Sequence, residues 1–561
     1  MQYLKAFANG DAAKALGIHS IAPTVGTMNG WNFAEVWEHH ATRFPEAPAQ
    51  IWGDQRTTWR EFDRRADGLA ATFLNAGVAE QDKVALYLYN RPEYLETTFG
   101  AFKAGLAPVN TNYRYGIEEL AYLWENSDAV ALVFEGCFTD RVDAVRHRLP
   151  KLRIFLHVED GSTPCPAWAT PYETAAMSAT DRTIAPWGRS GDHLFILYTG
   201  GTTGMPKGVM WRQDDLLCAL DSSNRNPLPA AVDFDALADR VTKPGPVNMP
   251  AAPLMHGTGG HNALSNLLFA GCIVTTIGRS FDAAELLETT ERHRVKSISI
   301  VGDAFANPIL RALDAEPNRF DISSLRVIVS SGIMWSAENK AGLLRHNPRL
   351  IMIDALGSSE AISMATSTTT ADSRESTASF TPKIDTVVLS EDGRILAPGS
   401  GERGRLAQPG RLPVGYYKDE TKSAATFQTV NGVRYSIPGD FAEVDADGTI
   451  RLLGRGSQCI NTGGEKVYPE EVEEALKRHP SVADAAVVGL PDERFGQAIC
   501  ALVEPANASI GVDSAELIAH VKQKLSAFKA PKRIITVPSV GRAANGKLDY
   551  RALTELAMNS L

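Results

Sequence analysis

A polyphosphate is bound by backbone N–H groups, hydroxyls and a positive charge packed into a small space. Tyr198 to Gly208, YTGGTTGMPKG, offers all three in one short loop: Gly200, Gly201, Gly204 and Gly208, the threonines Thr199, Thr202 and Thr203, and Lys207. The ligand implied is a nucleoside triphosphate, with ATP the obvious candidate. The loop is not a Walker loop, because Met205 and Pro206 stand where that motif needs a glycine ahead of Lys-Ser/Thr. A second stretch, Gly541 to Leu548 (GRAANGKL), nearly matches the Walker pattern, but Leu548 replaces the hydroxyl that would ligand magnesium. A surface turn would account for the glycines of the first loop, but not for a lysine set among three hydroxyls.

Such a loop must hang from rigid elements. His193 to Tyr198, leading into it, is an apolar run of buried-strand length, as are Lys83 to Tyr89, Ala129 to Phe134 and Leu152 to His157. Helical segments separate these runs, among them Glu93 to Ala104 and Ile117 to Asn126. Upstream, Trp31 to Arg43 puts Phe33, Val36 and Trp37 on one face, and Trp59 to Ala76 repeats Phe62, Leu69 and Phe73 at helical spacing. Ile273 to Ile277, Ser297 to Val301, Leu325 to Ser330 and Leu350 to Ile353 continue the alternation, which predicts an α/β fold with largely parallel sheets. After about residue 380 short runs around DG turns predict a small β subdomain, over about 380–453. From about Ser457 helix and strand alternate again, with Pro469 to His479, Val482 to Val488 and Ala515 to Leu525. We therefore divide the chain into an N-terminal domain, residues 1–455, and a C-terminal domain, residues 456–561.

The 561 residues are 44% hydrophobic, and 66 acidic against 56 basic side chains leave a net charge of −10. An acidic balance without a Lys/Arg-rich run argues against nucleic acid or an anionic membrane as the main partner. Cys137, Cys165, Cys218, Cys272, Cys459 and Cys500 are widely spaced and form no CxxC, which suits a reducing compartment. No stretch of 18 apolar residues and no signal-like N-terminus is visible, so we expect a cytoplasmic protein without an integral membrane segment.

The loop YTGGTTGMPKG, with YSIPGD (Tyr435 to Asp440), LGRGSQCINTGGEKVYPEEVEEAL from Leu453 and NGKLDYR from Asn545, resembles the adenylate-forming acyl-CoA synthetase superfamily. Acyl- and aryl-CoA ligases, peptide-synthetase adenylation domains and beetle luciferases belong to it. The motifs stand in the family's order and span the chain from about Trp31 to Arg551. The resemblance implies a large N-terminal domain of two α/β subdomains plus the β subdomain, followed by a small mobile α+β domain. It also implies a reaction of ATP, magnesium, a small-molecule carboxylic acid and CoA, through an acyl-adenylate, with a homodimer left open. Two alternatives stand beside it: an acceptor thiol on a carrier protein, and a non-catalytic nucleotide- or lipid-binding relative.

By the same resemblance Thr199, Gly200, Gly201, Thr202, Thr203 and Lys207 cradle the triphosphate, Thr202 taking part in the chemistry. Ser331 and Gly332 of SSGI, with Leu356, Gly357, Ser358 and Ser359 of LGSSE, flank the nucleotide, and Glu360 holds magnesium, a hard cation suited to carboxylate oxygen. Leu356 departs from the family's usual aromatic. Asp440 accepts the ribose hydroxyls, Arg455 contacts ribose or phosphate, and Ser457 takes the hinge position commonly Asp or Lys. Gly464, Glu465 and Lys466 of the TGGEK loop line the CoA channel. Lys547 bridges the attacking carboxylate and the α-phosphate. His256, in PLMHGTGGHNAL, matches the gate of the acyl pocket. No Asp or Glu stands between Pro253 and Ser280, so an ammonium-bearing amino acid would be left unpaired there. Gly257, Gly259 and Gly260 either admit a bulky chain or shape a turn. Together these variants resemble bacterial synthetases for fatty or sterol side-chain acids, and hence a role in fatty acid and lipid metabolism.

Overall fold

A computed structural model describes residues 30–199, 205–222, 224, 226–332, 335–372, 379–383, 385–455, 458, 460–462, 465–492, 496–525, 527–543 and 546–560; of Arg455, Asn461, Glu465, Lys466 and Gly496 it describes the backbone. Three sheets organise the described residues. An eight-stranded sheet has a parallel body, Leu194–Thr199, Ala107–Asn110, Lys83–Tyr87, Ala129–Glu135, Ile154–Val158 and Thr170–Pro171, and antiparallel Lys207–Arg212 and Gly415–Tyr416 on one edge. Ala129–Glu135 is buried at every position, as a parallel strand covered on both faces should be.

The second sheet is parallel from Pro48–Trp52 through Cys272–Thr275, Val247–Pro250, Ser297–Ile300 and Val327–Ser331 to Ile351–Ser358. Ala361–Thr369 then turns back antiparallel, and Ser379–Pro382 pairs with it and, on its other side, with Ile450–Arg455. The β subdomain is thereby stitched to the second sheet edge to edge, making fifteen strands in all. The third sheet, of five strands, is built from Ile460–Thr462, Glu465–Val467, Val482–Asp492, Gly496–Pro505 and Arg533–Thr536, with helices Pro469–Lys477, Ser514–Lys524 and Tyr550–Asn559 against it. No helix among the described residues is long and apolar enough to cross a membrane.

The predicted elements form where their periodicity put them, with ends shifted by a few residues. Helix Trp59–Asn75 starts where Thr58 and Glu61 cap each other's backbone, and it buries Trp59, Phe62, Leu69 and Phe73. Helices Phe33–Arg43, Trp59–Asn75 and Pro92–Lys103 meet around these rings, Trp37 lying 5.1 Å from Phe99 edge to face. Within this apolar layer sits a fully buried cation. The Lys103 ammonium lies 2.7 Å from Glu38, 2.7 Å from Asp63 and 2.6 Å from Asp67, and Arg189 shares Glu38 at 2.5 Å. Each charge has opposite partners on a different segment, so the network fixes how the helices dock rather than adding much net energy.

Removing the central cation leaves Asp67 without an ion-pair partner among the described residues, and Glu38 and Asp63 with only their arginines, Arg189 and Arg182. Lys103→Met is expected to destabilise the N-terminal layer by roughly 3–5 kcal/mol, read as a fall in the denaturant midpoint; an unchanged midpoint would show that the network carries no structural weight.

Candidate active site

The parallel strands of the second sheet end at a cavity of about 490 Å³, walled on its far side by helices and turns that accompany the third sheet. Crevices at the carboxyl ends of parallel strands are where open α/β sheets bind ligands. Ser331 pairs with Ala355 across two such strands, placing Ser330 and Gly332 beside Leu356 and Gly357 on the wall. Asp440 begins the strand Asp440–Val444 opposite Arg455, just after Gly439 turns the chain with φ +100°, and it too lines the cavity. Lys547 enters from the C-terminal side on a turn closed by Gly546 N to Ala543 O (2.8 Å) and Ala543 N to Lys547 O (2.9 Å). Arg542, paired with Asp484 at 2.5 Å, also donates to Gly546 O at 3.1 Å, so the turn is clamped from both ends. Leu548, next in sequence, is buried among Val537, Val540 and Leu553, which anchors the turn in the small domain's core.

Lys547 also faces His256. Burial, and after it the positive charges of Lys547 and Arg114, holds the His256 imidazole down to about 4, so it is neutral at pH 7. Buried Asn110 links this residue to the glycine-rich loop: its Nδ2 donates to Tyr198 O (2.8 Å) and Met255 O (2.7 Å), and its Oδ1 accepts from Tyr198 N (2.6 Å). The strand that enters the loop and the residue before the gate are therefore pinned to one side chain.

A second group gathers around Lys207. The loop is the hairpin between Leu194–Thr199 and Lys207–Arg212, and Thr199 is paired directly with Lys207. Burial lowers the Lys207 pKa, the charge of Lys422 adds to that, and Asp419 and Glu360 oppose it. Its ammonium lies 5.4 Å from the centre of the Tyr416 ring, and the Tyr416 hydroxyl donates to Glu360 Oε1 at 2.8 Å. Glu360 Oε2 bonds no described residue. Glu360 closes the turn between Ile351–Ser358 and Ala361–Thr369, where its N–H bonds Ser358 Oγ, and Ser359 O accepts from Trp211 Nε1 at 2.9 Å. A half-buried carboxylate near Lys207 is the ordinary protein share of a magnesium site, the remaining ligands being phosphate and water. The residues fit that cation.

Gly332, Leu356, Gly357, Asp440 and Lys547 thus meet in one cavity, while Thr199, Lys207, Ser358, Ser359 and Glu360 belong to the loop-side group. Gly200, Gly201, Thr202, Thr203, Gly464 and Ser457 lie outside the described residues, as do the side chains of Arg455, Glu465 and Lys466. Sequence reasoning missed Asn110, Tyr416, Arg542, Trp335 and the buried Lys340–Asp354 ion pair, the last three also lining the cavity. Burial raises Asp354 to about 6 against the opposing charge of Lys340. Tyr416 left a faint signal in the aromatic pair of VGYYKD; Asn110 left none.

The open question over the glycines of PLMHGTGG resolves in two ways. A Cβ on Gly259 would stand 2.4 Å from Pro253 O, and one on Gly260 2.6 Å from Leu254 O, so both let helix Gly257–Leu267 press on the backbone ahead of it. Gly257 has only ordinary contacts, 3.4 Å to His261 and 3.7 Å to Leu197, so no close backbone approach requires a glycine there.

Comparison with known proteins adds the following. Residues 37–413 match the family described as AMP-binding enzyme, and residues 471–547 its C-terminal domain. A medium/long-chain-fatty-acid--CoA/3-oxocholest-4-en-26-oate--CoA ligase of Mycobacterium tuberculosis is 41% identical over 93% of this chain and 95% of its own length. A 3-oxocholest-4-en-26-oate--CoA ligase of Rhodococcus rhodochrous is 40% identical over 93% and 95%. Among solved structures, the anthranilate CoA ligase AuaEII with anthranoyl-AMP has a TM-score of 0.78 at 22% identity, covering 94% of this chain and 98% of its own. The amide bond synthetase McbA of Marinactinospora thermotolerans reaches the same score and identity over 94% and 99%. At that identity the two structures establish the fold alone.

Two outcomes are expected. Gly259→Ala should cost about 1–3 kcal/mol of stability despite alanine's better helix propensity, because backbone cannot retreat from the new methyl, whereas Gly257→Ala should be nearly neutral; equal melting temperatures for the pair would refute the close-approach argument. Between pH 6.5 and about 4 the unfolded chain protonates His256 while the folded chain does not, so folded stability falls as pH falls through that window. His256→Phe lacks this component, and its melting temperature should decline less steeply across the window than that of the unsubstituted chain.

Proposed function

This chain belongs to the AMP-binding enzyme family, and from that premise we propose what it acts on and how its residues divide the work. It is an ATP-dependent, AMP-forming acid–CoA ligase. The acid we assign to it is apolar: a fatty or branched acid, or one carried on a steroid side chain. The mycobacterial and rhodococcal relatives, named for such acids, support that assignment, as does the lack of any acidic side chain between Pro253 and Ser280. The observation that carries the reading is Lys547, brought by the C-terminal domain into the cavity edged by Gly332, Leu356 and Asp440, its positive charge felt at neutral His256.

The chemistry explains why such a lysine is needed. A free carboxylate is a poor electrophile because its leaving group would be oxide. In the first half-reaction a carboxylate oxygen attacks the α-phosphorus of ATP, the bond to pyrophosphate breaks, and a mixed anhydride results. In the second, a CoA thiol attacks the anhydride carbonyl, the bond to AMP breaks, and the thiol proton passes to solvent. Attack joins two anions, and the role we assign to the Lys547 ammonium is to neutralise both. Lys207, Thr199 and the rest of the loop, Thr202 included, hold the phosphates, Asp440 the ribose, and Glu360 magnesium, which when bound draws charge from the phosphate oxygens. His256, being neutral, closes the acyl pocket without competing for the carboxylate.

The arrangement described suits adenylation. For the second half we propose that residues 456–561 rotate about the segment around Ser457, withdrawing Lys547 and bringing the Thr462–Lys466 loop towards the CoA channel. The five unpaired cysteines among the described residues suit the cytoplasmic location included in this proposal.

Acid-dependent release of pyrophosphate and formation of a CoA thioester should both be measurable; no exchange of labelled pyrophosphate into ATP with a panel of apolar acids would reject the reading. Lys547→Ala should lower adenylate formation about 10²- to 10³-fold yet leave thioester synthesis from supplied acyl-adenylate largely intact. Equal loss in both halves would count against two separate arrangements.

A further inference from the structure

Strands Ala129–Glu135 and Ile154–Val158 lie side by side in the eight-stranded sheet, with Phe134 opposite His157 and Glu135 opposite Val158. At their carboxyl ends, apart from the residues that line the Lys547 cavity, unlike metal-binding groups gather. One ligand atom each of Glu135, Cys137 and Asp160 lies within 4.8 Å of the other two. Backbone holds the carboxylates in place: Cys137 N donates to Asp160 Oδ2 at 2.9 Å, Ser162 N to Asp160 Oδ1 at 3.0 Å, and Tyr89 N to Glu135 Oε2 at 3.2 Å. Arginines serve the same two groups. Arg279 lies 2.9 Å from Glu135 and 2.5 Å from Asp160, and Arg91 lies 3.3 Å from Glu135.

With those contacts alone the group would be an ion-pair cluster and no more. His157 is what the arginines leave unserved: it is 2% exposed, and its Nε2 bonds no described residue. It points at the group. Around the place where a Gly136 Cβ would stand, the nearest atoms are Asp160 Oδ1 at 2.5 Å and His157 Nε2 at 3.1 Å, and Gly136 is the residue between Glu135 and Cys137. A ring nitrogen beside a carboxylate oxygen with no hydrogen bond between them sets electron pair against electron pair, and native exceptions of this kind call for an explanation. A cation held by both supplies one. Imidazole, thiolate and carboxylate together suit a borderline transition metal, zinc above all, whereas magnesium and calcium take oxygen.

We propose that Glu135, Cys137, His157 and Asp160 form a zinc site at the ends of these two strands, closed by Arg279 until the metal displaces it. Zinc holds such ligands at about 2.0–2.3 Å, so the four draw in around the ion as the guanidinium leaves. Arg279 is free to leave, its side chain being 43% exposed. The sulfur–zinc bond forms as the S–H bond breaks, and the proton passes to solvent. Charge balances in the exchange: a dication and a thiolate replace a guanidinium and a neutral thiol. Arg279 follows strand Cys272–Thr275 of the fifteen-stranded sheet, so zinc also undoes an ion-pair tie between the two large sheets.

The test uses the full chain without ATP, in excess magnesium so that oxygen-only sites stay filled, with Co²⁺ as the probe and Zn²⁺ as its competitor. The expected result is binding of Co²⁺ with a thiolate-to-cobalt charge-transfer absorption that Zn²⁺ abolishes. Cys137→Ser removes that absorption. His157→Gln weakens binding at least about tenfold, and Arg279→Gln strengthens it, because the competing cation is gone. Melting curves taken before cobalt is added report whether each variant folds. Cys137→Ser and Arg279→Gln, at positions that are not fully buried, carry the test should His157→Gln fail to fold. No charge-transfer absorption, an absorption that survives Cys137→Ser, or an affinity that Arg279→Gln fails to raise overturns the proposal.

Discussion

Two negative charges must be forced together before anything else in this molecule matters. A carboxylate and an α-phosphate about 4 Å apart repel by about 4 kcal/mol in a partly buried site, and bonding distance is shorter still. A cation placed between them reverses the sign of that interaction, but the same cation would hold the product anhydride afterwards. On the proposed assignment both demands are met by carrying Lys547 on a turn of the small C-terminal unit instead of on the sheets proposed to hold the nucleotide. Leu548 in that unit's core and the Arg542 clamp on Gly546 make the mounting stiff. Those contacts tie Lys547 to the small unit, so the rotation proposed above would carry the cation with it.

Precision on the other side comes from parallel strands and one amide. Thr199 and Lys207 are fixed by strand pairing, Gly332 and Leu356 by neighbouring strand ends, and Asn110 joins the loop's entry strand to the residue before His256. They decide where the glycine-rich loop and His256 sit relative to each other, a distance that oriented catalysis cannot leave loose. The Lys103 network plays the same part further out, docking three helices through partners that no alternative register would satisfy.

The alternation of buried strands and helices was legible because each element announces itself locally, and helix Ile117–Asn126 forms over the residues its spacing predicted. The residues proposed to bind the nucleotide were read from motifs that are short and dense. What stayed hidden is long-range. Asn110 pairs with atoms 88 and 145 residues away, and Tyr416 with a carboxylate 56 residues away, neither in a run that composition marks out. The glycines after His256 show the same limit: pattern alone weighed room for substrate against a tight turn. The answer was split between positions, because only at Gly259 and Gly260 does a backbone carbonyl occupy the place of the missing methyl.

The polar stripe of helix Gly257–Leu267 marks where periodicity stops being informative. A helix with apolar and small residues on one face and Thr, His, Asn and Ser on the other reads as amphipathic, and amphipathic helices ordinarily turn the polar face to water. The sequence cannot say whether the medium beyond that face is bulk solvent or a cavity that a ligand will fill. What distinguishes the two is the fate of the polar atoms. On a solvated face they cost nothing, and on an enclosed one they must find partners in the protein, in trapped water or in the molecule the cavity was shaped to receive. Asn266, one residue from the stripe and satisfied twice over by backbone carbonyls, shows that this helix can partner an amide when the fold requires it. That Asn262 Oδ1 and His261 Nε2 are left without partners is therefore set by what surrounds them and not by the helix itself.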